Sequence, residues 1–212
     1  MSSSRLHTPT PNAGPSKRSP LPKPKDKAWV EPAALPDDSD VDIASIGGTA
    51  PDYVKQLACN TFYAYGVGDP DAFGYAVGRA TRFIDISVDR RMERAGRLEA
   101  TTVAELTVTR QMLNGAGMLH GGCVTYLIDN CCSTPLVALG IYQGTNGVGV
   151  TQGMNVLFHA PAPVGSQLRI ISTSISMGGR VMTSRCEIVD KASGRVVASA
   201  FLNKMQPQAA KL

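Results

Sequence analysis

Residues 121–140 read as one helix that is apolar nearly all round, with strand-like segments on both sides of it. A helix at a protein surface carries one apolar stripe, whereas a helix apolar on every side has to be enclosed. Two alternating segments precede it, at 82–90 (Phe83, Ile84, Ile86 and Val88 among polar neighbours) and at 97–109. Four more follow, at about 147–159, 166–177, 180–190 and 195–204. Such period-2 runs are the mark of strands with one buried face. Arg91–Gly96, Gly178-Gly179 and Lys191–Gly194 supply the turn residues between neighbours. A strand pair, one long helix and four strands predict an α+β fold, an antiparallel sheet wrapped around the helix. Gly140 is expected to close that helix and Pro135 to kink it, because proline has no N–H to give. A shorter helix is expected over 51–65, with Pro51 near its first turn and Gly66 and Gly68-Asp-Pro70 ending it.

The run Asn114-Gly-Ala-Gly-Met-Leu-His120-Gly121-Gly122 leads into the long helix, and Asp129 lies within it. A helix N-terminus presents unpaired N–H groups and a positive dipole end, a place for an oxygen that gains negative charge. Glycines there allow a ligand close to the backbone. A lone carboxylate in an apolar helix is costly, so Asp129 is the candidate base or nucleophile; pairing with a positive group or capping a strand is the structural alternative. Together these are the parts of an acyl-transfer site. No Gly-x-Ser-x-Gly elbow and no phosphate-binding glycine loop offers a competing chemistry. His159 has no second His or Cys at zinc spacing, so no metal site is expected.

This pattern resembles the signature of hotdog-fold acyl-CoA thioesterases, in the phenylacetate-pathway-type branch that includes the thioesterase superfamily members. The Asn…His-Gly-Gly…Asp pattern falls on Asn114, His120-Gly121-Gly122 and Asp129 without a gap. The likeness continues through Gly147-Val-Gly-Val-Thr151-Gln-Gly153-Met-Asn155, Ala160-Pro-Ala-Pro-Val-Gly165 and Asp190–Ala198, covering roughly 80–205. It implies hydrolysis of acyl-CoA thioesters, with Gly121 N–H on the thioester carbonyl, Asn114 and His120 orienting, and Thr151 placing water. Each has a plainer reading as well, since Asn favours turns beside Gly and a β-branched Thr suits a strand. For coenzyme A, the resemblance implies Arg110, Gly122, Gly153, Phe158-His159-Ala160-Pro161 and the turn carrying Ser176, Gly178, Gly179 and Arg180. It also implies a homodimer, often doubled to a tetramer, and no metal or redox cofactor, coenzyme A entering only as part of the substrate. A hotdog dehydratase or hydratase and a non-catalytic acyl-CoA-binding protein are the alternatives. The dehydratase normally needs an acid–His pair at a spacing that is missing here.

Composition bounds the rest. At 212 residues the chain fits one domain with tails, divided as a 1–40 tail, a 41–80 helical extension, an 81–205 thioesterase domain and a 206–212 tail. A net charge of +4 without a basic reading motif gives no sign of a nucleic-acid partner. Asp129 and Asn130 interrupt the longest apolar run, so no membrane span is expected. Five cysteines, an odd number, read as small apolar thiols rather than a disulfide framework. Residues 1–36 hold eight prolines and no acid before Asp26, the composition of a disordered tail. The acid-poor N-terminus also has features of a transit peptide, but its prolines leave no room for an amphipathic helix. Ala210-Lys211-Leu212 is similar to the tripeptide address for peroxisomal import, which makes a peroxisomal location the expectation and a cytoplasmic or mitochondrial one the alternative.

Overall fold

The computed structural model describes residues 30–38, 41–67 and 69–206. The proposed tripeptide address and most of the proline-rich tail lie outside them. Six antiparallel strands form one sheet in the order β1-β2-β4-β5-β6-β3. They are β1 (Arg82–Arg91), β2 (Arg97–Thr107), β3 (Val150–Phe158), β4 (Gln167–Met177), β5 (Val181–Asp190) and β6 (Val196–Met205). Three helices accompany them, α1 (Asp52–Gly66), α2 (Tyr75–Arg79) and α3 (Gly121–Gln143). The sheet curves around α3, as the sequence leads one to expect.

Strand alternation explains the packing. Leu168 and Ile170 of β4, Cys186 and Ile188 of β5, and Ala198, Ala200 and Leu202 of β6 are buried, and their side chains share one core with Val124, Leu127, Ile128, Cys131 and Cys132 of α3. Burying aliphatic groups of this size stabilises by roughly 1.5–3 kcal/mol each. All five cysteines are free thiols, and four are fully buried. The helix is long and apolar enough to cross a membrane, so Asp129 and Asn130 do not disqualify it as the sequence suggested. Here 67% of its apolar stretch is buried by the protein itself.

Two local expectations change. The long helix runs on to Gln143 and is closed by Gly144, at φ 70°, whose N–H bonds to the carbonyls of Gly140 and Ile141. Gly140 instead marks a close approach, since a β-carbon there would lie 2.5 Å from Gly147 N. Within the stretch read as tail, residues 30–38 are docked on the body. Pro32 is buried, Asn60 Nδ2 donates to Asp37, Asn146 Nδ2 donates to the Val30 carbonyl, and Arg79 pairs with Asp38 at 2.8 Å. The 41–80 segment packs through Val54, Ala58, Cys59 and Phe62 of α1 into the same core as α3.

Gly140→Ala separates the two roles of that glycine. In an uncrowded helix interior the change stabilises by about 1 kcal/mol. Against Gly147 it should destabilise by roughly 1–3 kcal/mol, as overpacking does. Thermal denaturation should therefore show a melting temperature lowered by several degrees, about 2–4 °C per kcal/mol at this size. A raised melting temperature would mean that the 145–149 loop is not held against the helix.

Candidate active site

The loop before α3 is built by Asn114. Its Oδ1 accepts from the N–H groups of Ala116 (2.9 Å) and Met118 (3.2 Å), and its own N–H bonds to the Met118 carbonyl. This is the turn-forming role of Asn, and it leaves the side-chain NH₂ as the group able to face a ligand. His120 is the N-cap of α3. Its Nδ1 accepts from Gly122 N–H at 2.8 Å, which puts the proton of the neutral ring on Nε2. Gly122 N–H is thereby occupied. Gly121 N–H has no hydrogen-bond partner among the described residues and stands at the positive end of the helix. Of the two glycines, Gly121 is the one able to donate to an oxyanion.

Asp129 is half-buried rather than enclosed, and it lies on the wall of a cavity of about 900 Å³. Thr151 Oγ1 donates to Asp129 Oδ1 at 2.7 Å. The pairing of β3 with β6 shifts register between Thr151 and Gly153, a β-bulge beside the carboxylate. Bulges of this kind re-aim a side chain next to a site. Lys204, paired with Thr151 across the ladder, also reaches the wall, its Nζ donating to Ser133 Oγ at 2.9 Å. Burial pushes the Lys204 ammonium below the ordinary lysine range, and the Asp129 charge pulls it back up. The remaining wall comes from α1 (Ala58, Phe62 and Tyr65), from Phe73 and from Tyr126 of α3, whose ring packs edge-on against Phe73 at 5.8 Å. Sequence reading missed Lys204, Ser133 and this aromatic wall.

The residues named from sequence fall into two groups. At one end of β3, Thr151 meets Asp129; at the other, the ring of Phe158 stands 3.6 Å from where a Gly121 β-carbon would be. Asn114, His120 and Gly122 cluster with Gly121. The His159 ring bonds Ser199 at 2.8 Å, and the Ala160 N–H bonds the Val197 carbonyl, with exposed Pro161 next in the chain. Arg110 is exposed at the start of the turn that leads to Asn114. Exposed Gly153 sits just past the bulge. Ser176, Gly178, Gly179 and Arg180 are exposed on the β4–β5 hairpin, at the sheet end near Val150 but off the cavity wall. Gly121 and Asp129 themselves are eight residues apart, about 12 Å along the helix. One chain does not bring them to a common carbon. No group of three or more His, Cys, Asp or Glu suited to a metal ion occurs among the described residues.

Residues 116–197 match the model of a family described as the thioesterase superfamily. Acyl-coenzyme A thioesterase 13 of Homo sapiens is 28% identical over 96 residues, 45% of this chain and 66% of that protein. The same-named protein of Mus musculus is 26% identical over 113 residues, covering 52% and 78%. The match thus spans just under two thirds of the human relative. Among solved structures, zebra fish thioesterase superfamily member 2 superposes with a TM-score of 0.57 at 19% identity, covering 73% of this chain and 98% of its own. Thioesterase superfamily member 2 from Mus musculus gives 0.54 at 19%, covering 71% and 95%. These similarities establish the hotdog fold.

The cap at His120 is testable by itself. His120→Ala removes the acceptor for Gly122 N–H and should cost about 1 kcal/mol in urea denaturation. His120→Asn, which keeps a capping acceptor, should stay near wild type. Equal losses in both variants would contradict the capping role.

Proposed function

We propose that this chain, whose residues 116–197 match the thioesterase-superfamily model, hydrolyses acyl-CoA thioesters to the free acid and coenzyme A. The observation that carries this reading is the Asp129 carboxylate on a ligand-sized cavity with a hydroxyl bonded to it at 2.7 Å. The names of the relatives agree with it. Asp129 takes a proton from the attacking water or attacks the carbonyl directly. Thr151, whose hydroxyl donates a hydrogen bond to Asp129, keeps oxygen lone pairs free to accept from that water. Gly121 N–H donates to the carbonyl oxygen as it becomes negative. Asn114 orients the thioester, and His120 holds the loop and the first turn in place. The reading needs no metal or redox cofactor. Arg110, Phe158-His159-Ala160-Pro161, Gly153 and the 176–180 hairpin are proposed to contact the coenzyme A portion.

The 12 Å between Gly121 and Asp129 further supports a site formed by two chains. β3 ends the sheet with β6 as its single neighbour, carries no charged residue, and exposes Leu157 and Phe158 at 56% and 59%. An uncharged edge of nine residues with exposed Leu157 and Phe158 is open to pairing with another strand. A second copy joined antiparallel about a two-fold axis sets the α3 N-terminus of one chain beside Asp129 of the other, giving two equal sites.

Asp129→Asn conserves volume and keeps an oxygen for Thr151. It should lower thiol release from acyl-CoA by on the order of 10²–10⁴ while acyl-CoA binding and folding persist. Full activity in the folded variant would remove Asp129 from the chemistry. A wild-type protein that binds acyl-CoA and releases no thiol would instead be a binding protein.

A further inference from the structure

One face of α3 runs the length of the cavity, through Gly122, Thr125, Asp129, Ser133 and Val137 at intervals of three or four residues. The two ends of that face differ. At the first, Gly122 is exposed and the neighbouring wall residue Phe73 is 87% exposed. At the other, Val137, Val148 and Ala58 are buried. The phosphates of coenzyme A are costly to bury, so that part of a thioester leaves by the exposed end and the acyl group points to the buried one. Lys204 meets it there. Its side chain turns inward by the same strand alternation that buries Ala198, Ala200 and Leu202, and it is 8% exposed. The ammonium donates at 2.9 Å to Ser133 Oγ, one helical turn beyond Asp129 on the way to Val137. The Ser133 proton is given to the Asp129 backbone carbonyl, which leaves the Ser133 oxygen to accept from Lys204. An ammonium has three N–H donors. Among the described residues Ser133 Oγ takes one, and no ion pair takes the others. A buried ammonium held by a neutral hydroxyl alone is costly, and an anion brought to it offsets that cost.

Resting on the thioesterase reading, we propose that Lys204 selects the acyl group, its ammonium binding a carboxylate at the far end of a short dicarboxylic acyl chain. The substrates are then monothioesters of coenzyme A with dicarboxylic acids. The spacing sets the length of the chain. Asp129 marks the reacting carbonyl, and the four residues to Ser133 advance about 6 Å along the helix. An extended chain covers roughly 3.3–3.6 Å in three bonds, so about five bonds, or about six carbons, join the thioester carbon to a carboxylate beside Lys204. Thr151, the ladder partner of Lys204, is bonded to Asp129 Oδ1, so the reacting end and the recognising cation are held by neighbouring residues of β3 and β6. A methyl-ended chain of the same length brings a CH₃ group to the ammonium and gives it no acceptor, which leaves the cost of its burial in place.

The test compares kcat/KM for adipoyl-CoA and hexanoyl-CoA, which share a chain length and differ in the terminal carboxylate. The wild-type protein should prefer adipoyl-CoA. Lys204→Met should lower the adipoyl-to-hexanoyl ratio by on the order of 10–100-fold, mainly through KM, as loss of a hydrogen bond to a charged group does. Lys204→Gln, which can still donate to Ser133, should lower it in the same direction and serves if the Met variant is poorly folded. Lys204→Arg, which keeps the cation, should retain most of the preference. A wild-type protein that favours hexanoyl-CoA, or a ratio unmoved in the folded neutral variants, overturns the proposal. An equal loss in the Arg and Met variants overturns it too, because packing rather than charge would be responsible. If the wild-type protein hydrolyses neither thioester, the thioesterase reading fails, and calorimetric binding of the same two compounds to wild type and Lys204→Met still decides whether Lys204 recognises the carboxylate.

Discussion

The proposed function depends on a carboxylate carried by a helix that packs against the sheet. A carboxylate there must reach water or be held by polar partners, since burying it unpaired costs several kcal/mol. Asp129 does both. It opens onto a cavity, and it accepts the Thr151 hydroxyl at 2.7 Å. The bulge after Thr151, the inward Lys204 and the aromatic wall from α1 and Phe73 all follow from keeping a charged group and a cavity beside an apolar core.

The second constraint is distance. At the α3 N-terminus the Gly121 N–H has no partner among the described residues, whereas His120 has taken the Gly122 N–H. Donor and carboxylate lie on the same rigid rod, about 12 Å apart, and no loop movement shortens a helix. They also lie at opposite ends of β3, which is itself the open edge of the sheet. On the proposed two-chain reading, the open edge and the missing half of the site fall in the same part of the molecule.

Much of this was legible in the sequence, because periodicity reports burial directly. All six strands, α1 and the long helix lie where their patterns placed them, with ends shifted by a few residues. The helix end was misread because Gly140 and Gly144 are both plausible terminators. Only the approach of Gly147 gives Gly140 its other purpose. The 30–38 segment looked like tail because its anchors, Asp37, Asp38 and a backbone carbonyl, are polar and leave no apolar period. Asp129 stood out as a charge in an apolar helix. Lys204 did not, although its strand parity with Ala198, Ala200 and Leu202 already turned it inward. The weight given to it depends on Ser133 and Thr151 being neighbours, and sequence separation hides that.

Subunit complementation tests directly whether the two halves of the proposed site come from two chains. Asn114→Ala and Asp129→Ala proteins should each be inactive alone. Co-refolded in equal amounts, random pairing makes about half the dimers mixed, each with one intact and one doubly damaged site, so roughly a quarter of wild-type thiol release should return. Mixed dimers, verified by differential tags, that remain at the background of the single variants would show that these residues do not meet across an interface.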